Sequence, residues 1–186
     1  MKIEIAKVGL EGLLLVQTKV FQDARGFFME RYHEQDFKAA GLAANFVQDN
    51  HSRSNPGVVR GVHFQHSPAQ GKLVGVVRGR VWDVAIDIRA DSPSFGKFYG
   101  CELSAENGRF LWIPGGFAHG FCVLGDEPAD VFYKVTEFYN PKLEGGINCL
   151  DPELRIPWPV EKPSVSDRDQ TLGSFADYRR NPVFKK

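Results

Sequence analysis

Gly108-Arg109-Phe110-Leu111-Trp112-Ile113-Pro114-Gly115-Gly116-Phe117-Ala118-His119-Gly120-Phe121 sets one histidine inside an apolar run, just past a proline and two glycines. Phe110 to Ile113 has the aromatic and branched side chains of a strand. Pro114 cannot donate to a ladder and stops it, Gly115-Gly116 turns the chain, and Phe117 to Val123 resumes an extended course that carries His119. Upstream, Arg60-Gly61-Val62-His63-Phe64-Gln65 has a similar character. Val58, Val59, Val62 and Phe64 favour a strand, while Arg60, His63, Gln65 and His66 are costly to bury without partners. By alternation His63 and Gln65 share one face and Arg60, Val62, Phe64 and His66 the other. Gly61, between Arg60 and His63, is placed to host a bulge or a close ligand approach, either of which could change the way Arg60 points. Such a strand reads as the wall of a site rather than as core.

The rest of the chain supports an all-β reading. Its 186 residues suffice for one domain with its own core, and fifteen phenylalanines with nineteen glycines suit many short strands joined by tight turns. A net charge of zero and a pI near 7.0 give no case for a nucleic-acid or membrane surface. Cys101, Cys122 and Cys149 are scattered without metal-type spacing, which fits a reducing, cytoplasmic setting. The apolar run Leu13 to Val16 is too short for a signal peptide or a membrane span and predicts a first strand. Asp23 to Glu30 reads as a turn into a strand, His33 to Gly41 as a helix, and Phe46 to Ser52 as extended. Lys72 to Arg78 and Arg80 to Ile88 predict a hairpin about Arg78-Gly79. In its second arm Trp82, Val84, Ile86 and Ile88 form an apolar face, and Asp83, Ala85 and Asp87 a wet or functional one. Val131 to Tyr139 predicts a strand with Val131, Tyr133, Val135, Glu137 and Tyr139 on one face. The proline-rich stretch past Asn140 is expected to wrap the β domain rather than form a second one.

The spacing Gly108, five residues, Pro114-x-Gly116, two residues, His119 resembles the second cupin motif, whose last Asn position is Val123 here. In the first cupin motif His-x-His and a Glu serve a metal; the matching positions read His63-Phe64-Gln65 and Lys72, and a lysine opposes a cation. The resemblance implies a cupin-like β jelly roll with short peripheral helices and a site turned to metal-free chemistry. A wider series narrows it: Arg25-Gly26-Phe27-Phe28, Gln48-Asp49-Asn50-His51-Ser52, the two histidine runs, Lys72-Leu73-Val74, Tyr133-Lys134-Val135-Thr136 and Ser166-Asp167-Arg168-Asp169. Together, from Gly12 to Asp169, they resemble the dTDP-4-dehydrorhamnose 3,5-epimerases of dTDP-L-rhamnose synthesis. Val62 and Arg168 replace the family's usual Leu and Lys, conservatively. The resemblance implies a homodimer that binds a thymidine diphospho sugar, uses neither metal nor nicotinamide, and exchanges an N-terminal strand, so that Arg25 and Glu30 complete the neighbouring site. It makes His63 the general base, Asp169 its carboxylate, Tyr133 the general acid and Tyr139 the ring stacked on thymine. Gln48, Asn50, Arg60, Lys72, His119, Glu144 and Arg168, with Asp49 in the same run, match substrate-contact positions.

The residue types suit that chemistry. A 4-keto group acidifies the hydrogens on carbons 3 and 5, and a neutral histidine removes one near pH 7. Inversion needs a second donor on the other face, for which a tyrosine serves, while Lys72 and His119 can stabilise the enolate oxygen. Arg25, Arg60 and Arg168 suit a diphosphate. Taken singly, Tyr133 and Tyr139 read as ordinary sandwich aromatics, Arg25, Glu30, Glu144 and Arg168 as surface charges, and Lys72 as an edge-strand gatekeeper. Roles for Asp83 and His51 stay open. So do three competing functions: a single-carbon epimerase, a metal-dependent cupin enzyme, and a non-catalytic nucleotide-sugar binder.

Overall fold

The computed structural model describes residues 3–185. Its strands are β1 (Glu4–Lys7), β2 (Leu14–Gln17), β3 (Val20–Asp23), β4 (Gly26–Met29), β5 (Gln48–Ser54), β6 (Val59–Gln65) and β7 (Lys72–Arg78). They continue as β8 (Arg80–Asp87), β9 (Phe98–Ser104), β10 (Arg109–Ile113), β11 (Phe117–Val123), β12 (Ala129–Val135) and β13 (Glu144–Gly146). A six-stranded sheet runs β1-β2-β10-β7-β12-β5 and a five-stranded sheet β13-β6-β11-β8-β9, while β3 and β4 pair as a separate ribbon. The two large sheets are antiparallel throughout and face each other, as a jelly roll requires. Val74, Leu111, Ile113 and Val131 from one meet Val81, Ala85, Leu103, Phe121 and Val123 from the other in a shared core.

Both outer faces are covered as well. Val62, Phe64, Val84 and Ile86 turn away from the shared core and pack under Leu154, Phe175 and Tyr178 of the C-terminal segment. Val16, Leu73 and Phe110 lie under the segment of helix α1 (Glu34–Ala39), whose Phe37 is fully buried. His33 caps that helix and Gly41, at φ +93°, follows its last turn, so the expected span is trimmed only at its ends. Of the short peripheral helices expected, two were not placed along the sequence, α2 (Asp167–Gln170) and α3 (Phe175–Arg180), and the short strands β1, β3 and β13 were not located either. Among the described residues no helix is long and apolar enough to cross a membrane, and the three cysteines are free and buried.

Four sequence expectations need correction, one of them in part. β7 and β8 are not a hairpin: β7 lies between β10 and β12, and β8 between β11 and β9 in the opposite sheet. Only Gly79 separates them, too short a link for ladder pairing but sufficient for a corner at φ +69°. That interior placement also removes the edge-strand reading of Lys72. Of the two readings of the Asp83–Ala85–Asp87 face of β8, wet or functional, the wet one is excluded, because the face points into the sandwich and all three residues are fully buried. Asp87 there accepts from Arg89, Ser92 and Ser94. Finally, β12 stops at Val135, so Glu137 and Tyr139 do not continue its inward face and lie on a loop.

Candidate active site

A cavity of about 780 Å³ lies between the two sheets and takes side chains from both. The five-stranded sheet supplies Arg60, His63 and Gln65 from β6, His119 from β11 and Glu144 from β13. The six-stranded sheet supplies Gln48, Asn50 and Ser52 from β5, Lys72 from β7 and Tyr133 from β12, while Tyr139, Arg168 and Asp169 come from the loop after β12 and from α2. Inward orientation follows from the pleat: Tyr133 is opposite Asn50 and Val74, and His63 is opposite His119. Between His119 and Phe121 the register of β6 against β11 shifts by one residue, a bulge at Gly61 and Val62. It brings Arg60 to the cavity side, where Ser54 Oγ at 2.8 Å and the Arg53 carbonyl at 3.1 Å hold its guanidinium. Gly61 is required there: at φ +111° a Cβ would fall 2.6 Å from the His119 carbonyl oxygen.

His63 Nε2 lies 2.7 Å from Asp169 Oδ1, while Asp169 Oδ2 accepts the Gly61 N–H at 3.1 Å. The carboxylate is delivered by α2, where Ser166 Oγ accepts the Asp169 N–H. With its Nε2–H turned to a carboxylate, His63 keeps its lone pair on Nδ1. Burial pushes the imidazole pKa below its ordinary value and outweighs the opposing pull of Asp169. Burial also draws Lys72 down to about 8, against the pull of Glu144 and Asp83. Tyr133 is pushed up, by burial first and Glu144 second, and so keeps its proton across the neutral range. Burial alone would raise Glu144, but hydrogen bonds from Arg168 and Tyr139 prevail and lower it.

His119 has its own carboxylate, Asp83 Oδ2 at 2.8 Å, within the dry interior. The role of Asp83, open in the sequence, is thus to hold His119. His51 faces away from the cavity and lies 3.9 Å from Asp130. Asp49 is also not brought to the cavity: it alternates with Gln48 and Asn50, and on the outer face of β5 it pairs with Lys134 at 2.7 Å. Arg25 and Glu30 lie outside this chain's cavity. Arg25 sits at the turn of the β3–β4 ribbon with its side chain 89% exposed, paired to Asp23, and Glu30 follows β4. Ser52 and Gln70 line the cavity without having been singled out. Parity from Gln48 and Asn50 was the available signal for Ser52; Gln70 lies in a loop and had none.

Arranged so, a hydrogen-bonded histidine from one sheet and a protonated tyrosine from the other line one cavity together with Lys72, His119, Arg60 and Arg168. Among the described residues no three His, Cys, Asp or Glu side chains converge as metal ligands, and Gln65 spends its amide on backbone groups. Comparison with known proteins agrees in scale with the whole chain. The sequence profile of dTDP-4-dehydrorhamnose 3,5-epimerase matches residues 7–177. A dTDP-4-dehydrorhamnose 3,5-epimerase of Shigella flexneri is 51% identical over 94% of this chain and 97% of its own. A dTDP-4-dehydrorhamnose 3-epimerase of Streptomyces niveus is 38% identical over 95% of this chain and 86% of its own. The crystal structure of a dTDP-6-deoxy-D-glucose-3,5-epimerase from Legionella pneumophila, in complex with dTDP-4-keto-L-rhamnose, superposes with a TM-score of 0.93 at 42% identity, covering 99% of this chain and 98% of that one.

Proposed function

The chain belongs to the dTDP-4-dehydrorhamnose 3,5-epimerase family, a family of isomerases, and from that premise we propose that it inverts carbons 3 and 5 of dTDP-4-dehydro-6-deoxy-D-glucose to give dTDP-4-dehydro-L-rhamnose. The observation that carries the reading is the His63–Asp169 pair, His63 on one sheet and its carboxylate on α2, lining the same cavity as Tyr133 of the other sheet. His63 removes the hydrogen of carbon 3, and the electron pair moves into the ring to give an enolate with its charge on the 4-oxygen. Lys72 and His119 stabilise that oxygen, and one such donor is typically worth ~3 kcal/mol of barrier. Tyr133 returns a proton to the opposite face, so the carbon inverts; His63 then loses its proton to solvent and Tyr133 regains one. The same sequence at carbon 5 completes the reaction.

Arg60 and Arg168 engage the diphosphate, and Tyr139, 51% exposed beside the cavity, stacks on the thymine. The active form is a homodimer in which an N-terminal strand element reaches the neighbouring protomer, bringing Arg25 and Glu30 to its cavity. What supports this is the β3–β4 ribbon, which pairs with neither large sheet and carries Phe21, Phe27 and Phe28 exposed. The Streptomyces relative named as a 3-epimerase favours one alternative, inversion at a single carbon. Proton NMR of the substrate in heavy water with catalytic enzyme decides between them. Loss of both hydrogen signals with appearance of the L-rhamno product is the expected result. Exchange at carbon 3 alone establishes the single-carbon enzyme, and absence of any exchange overturns the reading.

A further inference from the structure

Past β12 the chain leaves the sheet: Thr136 N–H still donates to the Gly71 carbonyl at 3.1 Å, and residues 137–140 belong to no strand. Glutamine side chains take over their backbone groups. Gln70 Nε2 donates to the Glu137 carbonyl at 2.7 Å and Gln65 Nε2 to the Phe138 carbonyl at 3.0 Å. Tyr139 N–H donates to Gln48 Oε1 at 3.1 Å, and Asn140 N–H to Gln65 Oε1 at 2.8 Å. Gln65 and Gln70 are 4% and 9% exposed, so these bonds lie in a nearly dry setting where losing one is costly.

We propose that Gln65 and Gln70 are positioning residues for nucleotide binding: they hold the 137–140 loop so that Tyr139 presents its ring to the base. This rests on the base-stacking reading of Tyr139 given above. A primary amide suits the task because one planar group offers a neutral donor and a neutral acceptor, enough to bridge a carbonyl and an N–H two residues apart as a neighbouring strand would. Glutamate lacks the donor. An irregular surface loop is otherwise free to move, and ordering it on binding costs affinity. Gln65 therefore acts on affinity for the nucleotide, not on proton transfer, even though it shares the cavity face of β6 with His63.

The test is a double-mutant cycle read by titration calorimetry with thymidine diphosphate and by steady-state kinetics. Tyr139→Ala is expected to weaken nucleotide binding about tenfold, the loss of one stacked ring. Gln65→Ala is expected to reproduce most of that loss and to raise KM while leaving kcat at saturation near that of the unaltered protein. The double variant is expected to bind no worse than Tyr139→Ala alone. Gln70→Ala, at the other end of the loop, repeats the test if Gln65→Ala does not fold. Losses that simply add, or a Gln65→Ala protein with unchanged affinity beside a weakened Tyr139→Ala, overturn the positioning role. Unchanged affinity in Tyr139→Ala itself overturns the base-stacking reading instead.

Discussion

His63 and His119 stand opposite one another in the β6–β11 ladder, each with its own aspartate, yet the two pairs differ. Both oxygens of Asp169 are bonded, whereas Asp83 Oδ1 has no hydrogen-bond partner among the described residues. In the proposed mechanism it is His63 that works with Tyr133, which lines the same cavity from the opposite sheet. His63→Ala and Tyr133→Phe are each expected to lower kcat by about 10²–10⁴ with circular dichroism unchanged, and full turnover in either sinks the assigned roles. The pH profile follows from two groups. As the proposed base, His63 must be neutral, and it titrates below the ordinary 6.5, so kcat/KM is expected to fall on the acid side beneath that value. In its proposed role toward the enolate Lys72 must be protonated, and it titrates at about 8, so activity is expected to fall again above that value. Lys72→Arg keeps its charge and should push the alkaline limb upward; a limb that stays near 8 removes Lys72 from the profile. Most residues of the site were legible because their types are costly in a core. Asp49 was misassigned because a motif read as a run ignores the alternation that turns every second side chain outward.

Elements were legible where one strand sufficed, and illegible where the answer lay in a partner. The bulge at Gly61 could be anticipated from a glycine between two polar residues, and its direction is fixed by β11. Gly61→Ala places a methyl against the His119 carbonyl and forces a positive φ on a residue with a Cβ. The expected cost is ~1–3 kcal/mol, read as a lowered denaturation midpoint, together with weakened diphosphate binding as Arg60 loses its aim. An unchanged midpoint shows the bulge to be dispensable. The β7–β8 corner could not be read, because alternating apolar residues look the same in a hairpin and in two strands of opposite sheets. Only the single-residue link at Gly79 distinguished them. Likewise the aspartates of β8 read equally as wet or as functional until the second sheet covered them and His119 met Asp83.

At the scale of the molecule, the β3–β4 ribbon with Phe21, Phe27 and Phe28 at 47%, 51% and 65% exposure is the surface that the proposed dimer covers. Phe27→Asp/Phe28→Asp is expected to give a monomer by light scattering, with little turnover since Arg25 and Glu30 no longer reach a neighbour; a dimer of full activity contradicts the arrangement. The jelly roll itself was legible through the resemblance that the motifs carry, whereas strand partners were not, since pairing is decided by which faces must be buried together. The proposed base and the proposed acid belong to opposite sheets, and one consequence concerns product handedness. The gap between them is maintained by hydrocarbon, Val74 and Val131 against Ala85 and Phe121, which therefore acts as a spacer for stereochemistry. Thinning it, as in Val131→Ala, leaves His63 able to take a hydrogen while Tyr133 meets the carbon less squarely. Solvent deuterium then enters on the face from which hydrogen departed. Isotope washout without change of configuration is the signature of a sandwich whose filling has slackened.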